Sequence, residues 1–112
     1  MEEKLVNSIF QSVVKENIGL YTEILNMPLS EVTDSYWRDV IMLYNNCDKI
    51  NKRIIVEIFR HVIVDTVSTF LGIIDGSSIL ENFEHELKLK VDNTDIEDGL
   101  QDMFLELIEE MK

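Results

Sequence analysis

The sequence predicts a mainly α-helical protein: a four-helix domain with one strand or short β-hairpin between the third and fourth helices. Apolar residues recur every three or four positions over most of the chain, and one short segment switches to strict alternation. Only one Pro and four Gly interrupt these patterns. A fold of many strands needs turn residues at short intervals, so this composition favours helices.

The length is that of one domain. A chain of 112 residues lies near the commonest domain size, so a single domain over residues 1–112 is expected. The lone Cys47 cannot form an intramolecular disulfide or a cysteine-based zinc cluster. The composition therefore predicts a fold that is held together by its apolar core.

The first helix is predicted over about residues 2–25. A glycine in a helix interior costs about 1 kcal/mol relative to alanine, so a bend or break near Asn17 to Gly19 is expected. Pro28 ends this segment. The apolar stripe consists of Leu5, Ile9, Val13, Leu20 and Ile24.

The second helix begins after a group of polar residues. Ser30 or Thr33 can cap it, with Glu31 and Asp34 near its positive end. Its apolar face is predicted to consist of Val32, Tyr36, Trp37, Val40, Ile41 and Tyr44.

The third helix is the most hydrophobic and is predicted from about Lys49 to Ile74. Asp48 is the candidate N-cap residue of this helix. At its end, the Asp75–Gly76 pair supplies a glycine, which tolerates a left-handed conformation. A helix that is apolar over so much of its circumference is expected in the middle of a bundle.

The segment FEHELKLKV, Phe83–Val91, alternates apolar and polar residues, which is the period of a half-buried strand. A helix over residues 78–90 is the alternative, since Glu84 and Lys88 have helical spacing. A lone strand needs a partner for its backbone groups. Residues 77–80 of the same chain are one candidate, and a second copy is the other, which predicts a possible homodimer through Phe83–Val91.

The C-terminal segment is read as a polar loop, VDNTDIEDG, followed by a last helix from about Ile96 to Met111. The loop superficially resembles a calcium-binding loop. Aligning Gly99 with the invariant glycine of an EF-hand places Ile96 and Leu105 at ligand positions, and neither side chain can ligate. No calcium site is predicted.

The charge is strongly negative and unevenly distributed. The net charge is −12, and residues 75–112 hold 12 acidic and 3 basic residues, a net of −9. This field repels nucleic acid and anionic membrane surfaces and attracts a basic protein partner. A purely solubilising surface is the alternative. The candidate partner-binding residues are Asp92, Asp95, Glu97, Asp98 and Asp102, together with Trp37, a residue type enriched at binding hot spots.

A cytoplasmic location is expected. The N-terminal residues lack the basic-then-apolar layout of a signal peptide. The longest apolar stretch, residues 54–74, contains Glu57, Arg60, His61 and Asp65, which argues against a membrane span.

Glu57, His61 and Asp65 recur every four residues and could share a divalent metal on one helix face. A small metal-dependent helical enzyme using these residues is therefore one alternative function, and a structural homodimer built on the Phe83–Val91 strand is the other. Carboxylate-bridged bundles draw ligands from several helices, however, and no second Glu-x-x-His pair is present, so ion pairs on a solvated strip are favoured. No nucleophile elbow or phosphate-binding glycine loop is found either. We expect no cofactor and no catalytic residues.

The second half of the chain resembles small uncharacterised acidic bacterial proteins, some of which are regarded as toxin-immunity proteins. The resemblance covers about residues 60–108: a helix ending at Asp75–Gly76, the FEHELKLKV segment, an Asp/Asn turn and the LQDMF opening of the last helix. Gln101 stands where that pattern has a histidine. The resemblance implies a protein that acts by binding, often to a basic toxin domain, without a cofactor.

Overall fold

A computed structural model describes residues 1–111 and confirms the predicted fold class. The elements are α1 (Glu2–Ile9), a π-helical segment (Phe10–Lys15), α2 (Glu16–Leu25), a 3-10 turn (Leu29–Glu31), α3 (Ser35–Asn45), α4 (Lys49–Asp75), β1 (Lys90–Val91), β2 (Thr94–Asp95) and α5 (Leu100–Met111). The first three are continuous, and we call them together the N-terminal helix. The fold therefore has four helices, with a short hairpin between the third and the fourth.

The N-terminal helix departs from regular α geometry earlier than predicted. Gly19 lies within α2, and the irregular part is the π-helical segment. The buried residues Val6, Phe10 and Val14 are spaced by four. In a regular helix of 3.6 residues per turn this spacing drifts by about 40° per step. The wider π turn reduces the drift, so all three side chains face the same core.

The predicted ends of α4 are confirmed. The backbone N–H of Asn51 donates to the Asp48 carboxylate at 2.7 Å, which caps the first turn. Gly76 follows the helix with φ of 81°, a left-handed conformation that glycine adopts without steric cost.

The predicted cap of α3 was wrong. Neither Ser30 nor Thr33 begins the helix; Asp34 does, and it accepts a hydrogen bond from the Trp37 backbone N–H at 3.1 Å. The preceding Leu29–Glu31 turn leads into extended backbone, which delays the start of the helix. Asp34 has the extended backbone and the side-chain oxygen that a cap requires.

The strand predicted over Phe83–Val91 forms only at its last two residues. Lys90–Val91 pairs antiparallel with Thr94–Asp95, and residues 77–80 are not its partner. Residues 83–89 are neither strand nor the alternative helix. The long unpaired edge that predicted a homodimer through Phe83–Val91 is therefore not formed, because the strand that exists is paired within the chain.

The core is divided between two ends of an elongated molecule that measures 49 × 33 × 25 Å. The larger cluster joins the N-terminal helix, the C-terminal half of α4 and α5. A smaller group lies between α2, α3 and the N-terminal half of α4, with Leu25, Ile41 and Tyr44 buried there. The prediction that α4 lies in the middle of the bundle therefore holds for its C-terminal half only. The larger cluster consists of Val6, Phe10, Val14, Val64, Leu71, Leu100, Phe104 and Ile108.

The last residue of α4 caps the first turn of α5. The Asp75 carboxylate accepts hydrogen bonds from the backbone N–H groups of Leu100, at 3.1 Å, and Gln101, at 2.8 Å. Because these are the donors that a helix start leaves unpaired, the contact fixes where α5 begins. The prediction of a start near Ile96 was wrong by four residues.

Gly72 lets α5 approach α4 closely. The Gln101 side-chain amide donates to the Ser68 carbonyl at 2.9 Å, and this holds it against the α4 backbone. A Cβ on Gly72 would lie 2.8 Å from Gln101 Nε2 and 2.7 Å from Ser78 Oγ. Any larger residue at this position would therefore require the ends of the Gln101 and Ser78 side chains to shift.

We expect Asp75→Ala to destabilise the fold by about 0.5–2 kcal/mol, because it leaves two backbone donors of α5 without their acceptor. Asp75→Asn, which keeps one oxygen, should lose less. Urea unfolding measures the change in free energy, and hydrogen exchange at Leu100 and Gln101 locates it. Asp34→Ala is the matched control, since it removes the cap of α3 and should leave α5 protected. Unchanged exchange at both α5 amides in Asp75→Ala would contradict the assignment.

Candidate binding surface

A groove of about 330 Å³ lies between the connector after α4, the hairpin and the start of α5. Its apolar lining includes Leu87, Leu89 and Ile96. Four exposed carboxylate residues line the same groove, and we call it the acidic groove. These residues are Glu86, Asp95, Glu97 and Asp98.

The hairpin sets the position of one side of the acidic groove. Its two turn residues, Asp92 and Asn93, have φ of 49° and 67°, the positive values of a type I′ turn. Asp and Asn tolerate this conformation better than other non-glycine residues. Beyond the ladder, the Ile96 backbone N–H donates to the Leu89 carbonyl at 2.9 Å. The tight turn therefore holds Ile96 beside Leu89, where both pack against the core.

The carboxylates of this region remain largely free to meet a partner. Asp95 lies 3.8 Å from the Lys90 ammonium, and both side chains are exposed, so solvent screens the pair. Asp102 lies in the first turn of α5, where the positive helix end favours it. Among residues 1–111, Asp98 and Asp102 form no ion pair.

Glu2 connects the N-terminal helix to the acidic groove. Its carboxylate accepts a hydrogen bond from the Glu97 backbone N–H at 3.0 Å. This bond is the main cause that lowers the pKa of Glu2, and the N-terminal ammonium 3.8 Å away adds to the effect. The two residues are 95 positions apart, so no local sequence signal could have indicated the contact.

A second groove, of about 530 Å³, lies between α1 and α5. Its lining again combines carboxylates with apolar side chains, here Val6, Met103 and Leu107. Exposed carboxylates therefore continue from the acidic groove along α5 towards the N-terminal helix. The carboxylates are those of Glu3, Glu106 and Glu110.

The structure brings together part of the predicted binding set. Asp95, Glu97 and Asp98 line the acidic groove, whereas Asp92 lies at the hairpin turn and Asp102 on α5. Glu86 also lines the acidic groove, although it is not among the predicted residues, and it lies in the irregular connector over residues 83–89.

Trp37 lies elsewhere, on α3. It is half-buried, with its ring 6.1 Å from that of Tyr21 and 5.1 Å from that of Tyr36. Tyr21 also contacts Phe59 of α4, at 6.0 Å between ring centroids. Trp37 therefore contributes to the packing of α2, α3 and α4, and the acidic groove does not include it.

Glu57, His61 and Asp65 lie exposed on α4. Glu57 Oε1 is 3.7 Å from Arg60 Nε on the same helix. Among residues 1–111, no group of three or more His, Cys, Asp and Glu side chains is placed to hold a metal ion. In the described part of the chain, no side chain from a second helix therefore completes a metal site with Glu57, His61 and Asp65.

Comparisons of the chain with models of protein families, with curated proteins and with solved structures find no match. Within residues 1–111, no helix is long and apolar enough to cross a bilayer.

Acidification is expected to release the Glu2–Glu97 contact at a pH below the ordinary pKa of glutamate. The pKa of Glu2 is lowered in the folded protein, so its stabilising contribution is present above the ordinary value and is lost as the pH falls through the lowered value. The Glu97 amide resonance, followed by NMR against pH, reports the midpoint. Glu2→Gln should remove this transition. A midpoint at or above the ordinary glutamate pKa would contradict the assignment.

Proposed function

We propose that this chain is a non-catalytic, cytoplasmic binding protein that receives basic side chains of a protein partner in the acidic groove. An inhibitor or immunity protein is the sharpest form of this role. The observation that carries the proposal is the combination of four exposed carboxylates, against the single cation Lys88, with an apolar floor. Lysine and arginine have the matching chemistry, because their methylene stems pack on apolar surface while their charged ends need anions.

The charge beyond the acidic groove supports the same partner class. Residues 75–112 carry a net charge of −9, from 12 acidic and 3 basic residues. A surface of one sign attracts a protein of the opposite sign before contact and raises the rate of encounter. The same field repels phosphate backbones, which disfavours a nucleic-acid partner.

The chemistry of the acidic groove favours binding over catalysis. Four of its five carboxylates are exposed to solvent, and the fifth, Asp75, accepts hydrogen bonds from the α5 backbone. The lining among residues 1–111 includes no histidine, cysteine or serine. A general acid or base needs an environment that brings its pKa near the working pH, usually through burial. Solvated carboxylates instead supply attraction for a cation.

Neutralising Asp95, Asp98 and Asp102 together to Asn should slow the association of a basic partner by about tenfold or more, because steering by these charges is lost. An arginine-rich peptide is a suitable probe, with stopped-flow kinetics at low and high salt. Wild-type association should slow steeply with salt, since charges are screened beyond about 8 Å at physiological ionic strength. Folding should be nearly unchanged, because exposed charges contribute little to stability.

The matched control changes the same net charge elsewhere. Glu16→Gln, Glu23→Gln and Asp39→Asn together remove three exposed carboxylates from the first half of the chain. This triple variant should bind the peptide at close to the wild-type rate. Equal slowing in both triple variants would mean that total charge, and not the acidic groove, controls binding. No effect of salt or of either variant would leave the acidic surface with a solubilising role only.

A further inference from the structure

The outer side of α4 is an apolar surface that no described part of the chain covers. Ile50, Ile54, Ile58 and Val62 are 65%, 50%, 53% and 59% exposed, and we call this row the α4 face. Single exposed apolar residues are normal on a protein surface. A continuous row of four on one helix, bordered by charged residues, indicates an interaction site.

The shape of the chain leaves enough surface for a stable interface. The accessible area is 8329 Å², whereas a compact monomer of 13.1 kDa exposes about 6,400 Å². The excess of about 1,900 Å² is more than twice the roughly 800 Å² that each partner buries in an interface of standard size. The radius of gyration is 17.6 Å, compared with about 13 Å for a compact domain of this length. Association through the exposed half of α4 would cover part of this excess.

The charged row beside the α4 face is self-complementary in one orientation. Arg53, Glu57, His61 and Asp65 are exposed and spaced by four, parallel to the apolar row. In two antiparallel copies that cross near residue 59, positions equally far from that point face each other. Arg53 of one copy then faces Asp65 of the second, and Glu57 faces His61. In a parallel pair the two charged rows would lie on opposite sides of the apolar row, so Arg53 and Asp65 would not meet.

We propose that two copies of this chain form a homodimer in which the α4 faces pack antiparallel across a two-fold axis near residue 59. Ile58 and Val62 lie on either side of the axis and form the apolar centre of the interface. Arg53 and Asp65 form its charged border. Such an interface is isologous, so every contact occurs twice.

The wider charge distribution agrees with this orientation. Residues 49–60 contain Lys49, Lys52, Arg53 and Arg60, four of the ten basic residues of the chain, and only one acid, Glu57. This segment is the most basic in a protein of net charge −12. Antiparallel pairing places it beside the half of the partner helix that contains Asp65. Local attraction thereby offsets the general repulsion between two acidic chains.

The α4 face and the acidic groove share no residue, so the dimer is independent of the proposed function. The Asp95, Asp98 and Asp102 triple variant should remain a dimer. Loss of peptide binding with the dimer intact, or the reverse, therefore identifies which of the two proposals fails.

The first test is the mass of the full chain in solution. Sedimentation equilibrium at micromolar concentration should give two chains per particle. Ile58→Glu should raise the dimer dissociation constant by a hundredfold or more, because two carboxylates then enter the apolar centre. Ile79→Glu is the matched control: Ile79 is 93% exposed and outside α4, so the same substitution should leave the dimer unchanged. Circular dichroism verifies that both variants are folded.

The second test addresses orientation through a charge exchange. Arg53→Glu or Asp65→Arg alone places like charges opposite each other at two symmetric positions, and each should weaken the dimer by about tenfold. The double variant restores opposite charges in the antiparallel dimer and should recover most of the wild-type affinity. A parallel dimer predicts no loss in either single variant.

Three results would overturn the proposal. A wild-type mass of one chain at tens of micromolar rules out the dimer. Equal effects of Ile58→Glu and Ile79→Glu place the interface elsewhere than the α4 face. Absence of rescue in the Arg53→Glu/Asp65→Arg double variant rules out the antiparallel arrangement.

Discussion

The capping of α5 by Asp75 is the contact on which the C-terminal third of the structure depends. The carboxylate at the end of α4 accepts both of the first free backbone N–H groups of α5. Residues 76–99 between them are largely exposed, with only a two-residue ladder as regular structure. Their few contacts cannot alone offset the entropy of ordering a connector of this length. The cap, with Gly72 and Gln101 beneath it, fixes both ends of the connector and thereby shapes the acidic groove.

The division of the core explains why the protein presents two different surfaces. The C-terminal half of α4 is enclosed by the N-terminal helix and α5, where Val64 and Leu71 are buried. Within residues 1–111, the N-terminal half of α4 packs beside α2 and α3, and Ile50, Ile54 and Ile58 remain at least half exposed. The uncovered side is apolar and locally basic, whereas the enclosed end carries the acidic connector and α5. One long helix thus joins an exposed apolar surface that is locally basic to a surface that is acidic.

The acidic surface is tolerated because most of its charges are solvated and some contribute to structure. Asp34, Asp48 and Asp75 cap helix starts, where the exposed N–H groups favour a negative charge. The Glu2 carboxylate bridges 95 positions to the Glu97 backbone. The remaining carboxylates repel one another, which lowers the stability of the fold somewhat. Together they produce a negative electrostatic field that extends beyond the surface.

The sequence by itself determined the four helices, because the periodicity of apolar residues and the caps at Asp48 and Gly76 are local signals. It also indicated the acidic C-terminal third and most of the carboxylates of the acidic groove. It did not determine the structure of Phe83–Val91, because alternation shows only that the segment can form a strand. A strand exists only where the backbone of a partner segment pairs with it. The start of α5 and the Glu2 contact likewise depend on donors and acceptors far apart in the chain. The exposure of α4 was decided by tertiary packing alone: its sequence is apolar nearly all around, and only the number of neighbouring helices determines which side stays open.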